Sequence, residues 1–85
     1  MTEPREIRIK RLTMRSMRRG IKEMDLILQA FAEKRLAGMS EAELDLYDRM
    51  LSENDQDLYQ WVTGQAPAPA PLEALIAEIA RTFQP

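Results

Sequence analysis

Residues 18–35, RRGIKEMDLILQAFAEKR, decide the fold because they contain the clearest helical pattern in the chain. Apolar side chains recur at intervals of three and four residues, at Met24, Ile27, Leu28 and Phe31. This spacing places them on one face of an α-helix, the face that a globular domain buries. Acidic residues near the start and basic residues at the end complement the helix dipole. The stretch therefore predicts an amphipathic helix over about residues 21–35.

A basic helix and a capped helix flank the central one. The preceding sequence predicts a helix over about residues 6–18 that ends at Gly20, a residue suited to the left-handed conformation of a helix C-terminus. After the central helix, Ser40 and Glu43 form a capping box, in which each side chain accepts a hydrogen bond from the other residue's backbone N–H. A third helix is therefore predicted over about residues 41–51.

The last third of the chain predicts two helices joined by a proline-rich segment. Asn54 or Asp55 caps a short fourth helix, and Gly64 ends it. The Ala-Pro repeat within residues 65–71 cannot be helical, because each proline disfavours the helical region for the residue before it, and it predicts an extended strap. A C-terminal helix over residues 72–83 follows. Its apolar stripe consists of Leu72, Leu75, Ile76, Ile79 and Phe83.

The predicted fold class is all-α, a small five-helix bundle. No stretch combines alternating apolar and polar residues with β-branched clusters and turn signals, so no strand is expected. Residues 1–85 are predicted to form a single helical domain with a flexible N-terminal arm at 1–5. The predicted core consists of Leu28, Phe31, Leu44, Tyr47, Leu51, Leu58 and Trp61.

Composition favours a binding module over an enzyme. The 85 residues include no cysteine and no histidine, so disulfides, thiolate nucleophiles, the usual zinc ligands and the commonest general base are excluded. We therefore expect no catalytic residue and no metal site. The N-terminal sequence shows no apolar signal region, and no apolar run approaches the roughly 20 residues of a membrane span, which together predict a cytoplasmic protein.

Charge is distributed unevenly along the chain. Residues 1–35 contain ten Lys and Arg against five Asp and Glu, whereas residues 36–85 contain two against nine. The basic first helix could bind nucleic acid, but domains of that kind are usually basic overall and the pI here is about 5.1. An adaptor for nucleic acid or the ribosome therefore stays open as an alternative function.

Two other candidate sites have simpler structural explanations. The acidic segment at residues 53–57 resembles the start of a calcium-binding loop, but Leu58 and Gly64 occupy the positions that require glycine and glutamate. Helix capping explains this segment. Trp61 and Tyr59 could stack on a flavin or a base, but the helical stripe predicts that Trp61 packs in the core.

The segment RRGIKE at residues 18–23 is the main candidate for a binding site. Each of its residues has a capping role between two helices, which is one sufficient explanation. The alternative is a contact surface for another protein. Gly20 would allow another backbone to approach, Arg19 offers a planar donor fork, and Glu23 offers an acceptor.

The same segment resembles the succinate dehydrogenase flavin-assembly factor family, bacterial relatives of the mitochondrial assembly factor 2. The family signature Arg-Gly-x-x-Glu is matched by Arg19, Gly20 and Glu23. The wider pattern includes RSMRRGIKEMDLIL, LAGMSEAELDLYDRML and NDQDLYQWV in order, and it covers about residues 11–62. Met14 departs from the pattern, because relatives often carry an aromatic residue there.

The resemblance implies a five-helix factor that binds the flavoprotein subunit of succinate dehydrogenase, and in some bacteria that of fumarate reductase. Such a factor promotes the covalent attachment of FAD to a histidine of its partner and binds no cofactor itself. The implied partner-binding residues are Arg18, Arg19, Gly20, Lys22 and Glu23. A monomer that binds no nucleic acid is expected, and an antitoxin-like regulator is a further alternative.

Overall fold

The computed structural model describes residues 3–83 and contains five α-helices. They are α1 (Arg5–Arg15), α2 (Lys22–Arg35), α3 (Glu41–Leu51), α4 (Asp55–Val62) and α5 (Glu73–Phe83). Single 3₁₀ turns occupy Leu36–Gly38 and Ala70–Leu72. The described residues contain no strand, which confirms the all-α prediction. None of these helices is long and apolar enough to cross a membrane.

One apolar core is shared by all five helices. Helix α2 packs against α1, α4 and α5, and its entire predicted stripe is buried. Phe31 of α2 stacks on Tyr47 of α3, with their ring centroids 5.6 Å apart. Six of the seven predicted core residues are fully or almost fully buried: Leu28, Phe31, Leu44, Tyr47, Leu51 and Leu58.

Two apolar side chains near the C-terminal end of the chain are less buried than predicted. Trp61 is partly buried, because it lies at the edge of the core and lines a surface groove with the strap and α5. Phe83 is 52% exposed at the last residue of α5, beyond the part of that helix that contacts the core. The helical spacing correctly placed both residues on the inner face of their helices. It does not show how far the neighbouring helices extend to cover that face.

Local capping signals fix three helix ends as predicted. Ser40 and Glu43 form both hydrogen bonds of the capping box, at 3.1 and 2.8 Å. Asn54, rather than Asp55, caps α4 through a 2.7 Å hydrogen bond from the backbone N–H of Gln56. Gly64 follows α4 with a φ of 81°.

The strap and the N-terminal arm differ slightly from their predicted bounds. Pro69 has the extended geometry expected of the strap, with φ −57° and ψ 145°, but the strap already turns into a 3₁₀ helix at Ala70. Of the predicted arm, Met1 and Thr2 lie outside the described residues, and Arg5 already belongs to α1. Glu3, which precedes α1, accepts two 3.0 Å hydrogen bonds from Arg11, eight residues later in the chain.

The basic face of α1 lies against acidic residues of the same chain. Arg8 pairs with Glu41, at 3.0 Å, and with Asp45. Arg5 pairs with Glu41 and Arg15 with Asp48, so the pairing extends along both helices. The charge asymmetry of the sequence is therefore largely neutralised by the contact between α1 and α3.

We predict that Arg8→Met lowers the free energy of unfolding by about 1 kcal/mol at low ionic strength, because the Arg8 side chain is only 15% exposed and has two carboxylate partners. The loss should shrink at about 1 M salt, where exposed charges are strongly screened. Lys10→Met is the matched control, since Lys10 is exposed and forms no ion pair with residues 3–83. Urea unfolding at both ionic strengths measures the effect. Equal losses for the two variants would contradict the structural role of Arg8.

A buried hydrogen bond joins the end of α1 to α3. Ser16 has no exposed surface, and its hydroxyl donates to the carbonyl of Leu12 at 2.8 Å. The hydroxyl of Tyr47 lies 2.6 Å from Ser16 Oγ and must be the donor, since the single proton of Ser16 is already used. Burial raises the pKa of Tyr47 to about 12, which keeps this donor protonated. The bond holds the C-terminal end of α1 against α3, directly before the loop that contains the candidate site.

Candidate functional site

The candidate site is the loop that joins α1 to α2, together with the first turn of α2. The loop contains a left-handed residue, but this is Arg18, with a φ of 56°, and not Gly20 as predicted. The backbone N–H of Arg18 donates to Asp25 Oδ1 at 2.9 Å, so a side chain of α2 holds the turn. A non-glycine residue in this conformation costs roughly 1–2 kcal/mol.

Asp55 of α4 approaches Gly20 closely. The backbone N–H of Gly20 donates to Asp55 Oδ2 at 2.5 Å. A Cβ atom built on Gly20 would lie 3.0 Å from the same oxygen, so the carboxylate would have to shift by a few tenths of an ångström to admit a side chain. The sequence-based explanation was a close approach by another protein. The structure shows a close approach by the chain itself.

Arg19 is directed into the domain. Its side chain is 12% exposed, and Nε donates to Asp55 Oδ1 at 2.7 Å. The remaining guanidinium nitrogens donate to the backbone carbonyls of Arg15, Leu51 and Glu53, at 3.2, 3.1 and 3.4 Å. The planar fork that we expected to face a partner is thus used to join the α1–α2 loop to the α3–α4 connection.

The other three predicted site residues face outward. Arg18, Lys22 and Glu23 are exposed. Among residues 3–83, none of their side chains has an ion pair or a hydrogen bond. Residues 18–23 therefore divide into two halves. The inner half, Arg19 and Gly20, is bonded to Asp55, although Gly20 itself is exposed. The outer half, Arg18, Lys22 and Glu23, has two cationic side chains and one anionic side chain with no bonded partner among the described residues.

Comparison of the sequence with known protein families shows to which family the chain belongs. The family model described as "Flavinator of succinate dehydrogenase" matches residues 10–83. The chain belongs to this family. The resemblance that the motif indicated is thereby confirmed.

The chain is similar to several proteins named "Succinate dehydrogenase assembly factor 2, mitochondrial". It is 45% identical over 69 residues to that of Mycosarcoma maydis, 52% over 61 residues to that of Scheffersomyces stipitis, and 40% over 79 residues to that of Drosophila grimshawi. These matches cover 81%, 72% and 91% of this chain but 29%, 41% and 54% of the three relatives. The chain thus spans about half or less of the length of these relatives.

Two exposed apolar residues flank the outer half of the motif at residues 18–23. Leu26 is 61% exposed and lies one turn after Lys22 and Glu23, so the three share a face of α2. Met14 is 66% exposed and lines a shallow depression with Met17 and Arg18. Sequence reasoning missed Leu26, although its position outside the buried stripe of α2 was a usable signal. An exposed mixture of apolar and charged side chains is typical of a protein contact surface.

The acidic segment at residues 53–57 has bonded partners within the chain. In residues 53–57, Asn54 caps α4 and Asp55 binds Arg19 and Gly20, so two of the polar side chains are already used. No group of three or more potential metal ligands is present among the residues that the structure describes. The acidic segment therefore serves helix capping and the loop contact.

We predict that Arg18→Gly raises the free energy of unfolding by a few tenths of a kcal/mol up to about 1 kcal/mol, because glycine relieves the left-handed strain and this gain exceeds the cost in unfolded-chain entropy. The matched control is Arg49→Gly, an exposed arginine within α3, which should lower stability by roughly 0.5–1 kcal/mol. Thermal and urea unfolding compare the two. A loss at Arg18 as large as that at Arg49 would contradict the strained conformation.

Proposed function

We propose that this chain binds the flavoprotein subunit of succinate dehydrogenase and promotes covalent attachment of FAD to it. The observation that carries the proposal is the motif at residues 18–23, whose inner half is bonded to Asp55 while Arg18, Lys22 and Glu23 stay exposed. Leu26 and Met14 add apolar area beside these charges. The same surface would serve the flavoprotein of fumarate reductase, which is a second proposed partner.

The proposed mechanism requires no catalytic residue in this chain. Bond formation belongs to the flavoprotein, which supplies both the histidine and the FAD, whereas this chain contains neither histidine nor cysteine. A factor that binds the reactive conformation of its partner more tightly than other conformations raises the population of that conformation. Orienting the reacting groups and excluding water from them would then accelerate the reaction. The factor acts as a monomer and binds no cofactor.

The paired charges of α1 argue against the nucleic-acid alternative. The arginines at positions 5, 8, 11, 15 and 19 all form ion pairs with carboxylates of their own chain. Each would have to break those pairs to neutralise a phosphate. A phosphate-binding surface needs free cations, because their contacts supply most of the affinity, and only Lys10, Arg18 and Lys22 lack an ion pair here among the described residues before α2 ends its first turn.

The compartment in which this chain acts is set by where its partner folds. The sequence-based prediction of a cytoplasmic protein stays a prediction, and the three relatives compared above are mitochondrial by name. We propose the compartment in which the flavoprotein subunit folds, which is the cytoplasm in a bacterium.

Binding to purified partners tests the proposed function. The chain is mixed either with the flavoprotein subunit of succinate dehydrogenase carrying non-covalent FAD, or with a random-sequence RNA, and each mixture is run on a gel-filtration column. We expect co-elution with the flavoprotein and separate elution from RNA at physiological salt. Co-elution with RNA alone would overturn the proposal in favour of the basic-helix adaptor.

A further inference from the structure

Asp55 joins the start of α4 to the loop between α1 and α2. It is the first residue of α4, and its side chain is 19% exposed. One carboxylate oxygen accepts from Arg19 Nε and the other from the backbone N–H of Gly20. Both bonds connect positions 35 or 36 residues apart in sequence. A single side chain therefore holds two consecutive residues of the motif.

Apolar packing anchors the start of α2, since Met24 has no exposed surface and Ile21 packs against the core, but few polar contacts orient it. Ile21 precedes the helix and provides no side-chain cap. The left-handed turn at Arg18 is held by Asp25 through one hydrogen bond. Without Asp55, the Gly20 N–H would lose its acceptor and Arg19 would lose its charged partner. The first turn of α2, which carries Lys22 and Glu23, would then sample a wider range of orientations.

We propose that Asp55 is a positioning residue: it fixes Arg19 and Gly20, thereby orients Glu23, and sets the affinity for the flavoprotein without touching it. The proposal rests on the proposed function, since it names the residue that shapes that binding surface. It also assigns Gly20 a role that differs from contact with a partner, because the space at Gly20 is needed by Asp55.

Apparent affinity falls with the fraction of molecules in the binding conformation. If Asp55→Asn leaves about a tenth of the population with Glu23 in place, the apparent Kd rises about tenfold. Asparagine keeps the size of the side chain and one oxygen acceptor, but it removes the charge and replaces the second acceptor by an NH2 donor, which cannot accept from Arg19 or Gly20. The matched control is Asp57→Asn, which removes an equal charge from the same turn of α4, where Asp57 is exposed and has no bond to the loop among the described residues.

The test measures the Kd for the purified flavoprotein subunit carrying non-covalent FAD, at a temperature where circular dichroism shows every variant to be folded. The variants are Asp55→Asn, Asp57→Asn, Glu23→Ala, and the double variant Asp55→Asn with Glu23→Ala. We expect about a tenfold rise for Asp55→Asn and no change for Asp57→Asn. In the Glu23→Ala background, Asp55→Asn should raise the Kd by less than about twofold, because a residue that acts through Glu23 has no side chain left to orient there.

A full tenfold further loss in the Glu23→Ala background would overturn the proposal, since independent effects add. Equal effects of Asp55→Asn and Asp57→Asn would overturn it as well, because charge alone would then explain the change. Neither result affects the proposed function, which fails only if the unmodified chain does not bind the flavoprotein.

Gly20→Ala provides a second, independent measurement. In the presence of Asp55, the added methyl group shifts the carboxylate, and we expect weaker binding. In an Asp55→Ser background the shorter side chain leaves room, so Gly20→Ala should cost less than about twofold in Kd there. An equally large loss in both backgrounds would mean that the partner itself occupies the space at Gly20, and it would overturn the role assigned to Asp55.

Discussion

Phe31→Ala is expected to lower the free energy of unfolding by about 3–5 kcal/mol, the usual cost of removing a large aromatic side chain from a core. Phe31 has no exposed surface and stacks on Tyr47. A domain of this length is stable by roughly 4–13 kcal/mol, so the loss is a large share of the total. Urea unfolding followed by circular dichroism measures the loss as a lower midpoint concentration of urea.

The matched control for this experiment is Phe83→Ala. The substitution is chemically the same, but Phe83 is 52% exposed, and changes at such positions usually stay within about 0.5 kcal/mol. Trp61→Ala should fall between the two, at roughly 1–2 kcal/mol, because Trp61 is only partly buried. Similar losses at positions 31 and 83 would show that the core has been misplaced.

The second large effect is expected at Glu23, in function and not in stability. Glu23→Ala removes an exposed carboxylate without bonded partners among residues 3–83, so the cost in stability should be a few tenths of a kcal/mol to about 1 kcal/mol, from the helix dipole. If Glu23 contacts the flavoprotein, the same substitution leaves donors of the partner unpaired. Truncating one member of a buried charged pair costs several kcal/mol, which would lower binding more than a hundredfold. A folded protein without assembly activity is the expected result.

The helices were predictable because their signals are local. The capping box at Ser40 and Glu43 and the stripe from Met24 to Phe31 each depend on residues within a few positions of one another. The same local rules named Gly20 as the left-handed residue and were wrong. The turn at Arg18 is stabilised by Asp25, seven residues later, and capping rules do not describe that contact.

The sequence names the residues of the candidate site, but it does not show which of them are bonded within the chain. The motif identified Arg19, Gly20 and Glu23 as a unit from sequence alone. That Arg19 and Gly20 are bonded within the chain depends on Asp55, which lies 35 residues from Gly20 and was expected only as a helix cap. Ion pairs between α1 and α3 were missed for the same reason, since charge patterns in sequence show composition but not which faces meet.

In-gel flavin fluorescence of the denatured flavoprotein tests the central claim most directly, because only covalently attached FAD stays in the band. The flavoprotein is incubated with no factor, the unmodified chain, Glu23→Ala, or the control Glu33→Ala, an exposed glutamate about 15 Å further along α2. We predict strong fluorescence with the unmodified chain and with Glu33→Ala, and only the factor-free level with Glu23→Ala. Full fluorescence with a folded Glu23→Ala protein would contradict the account.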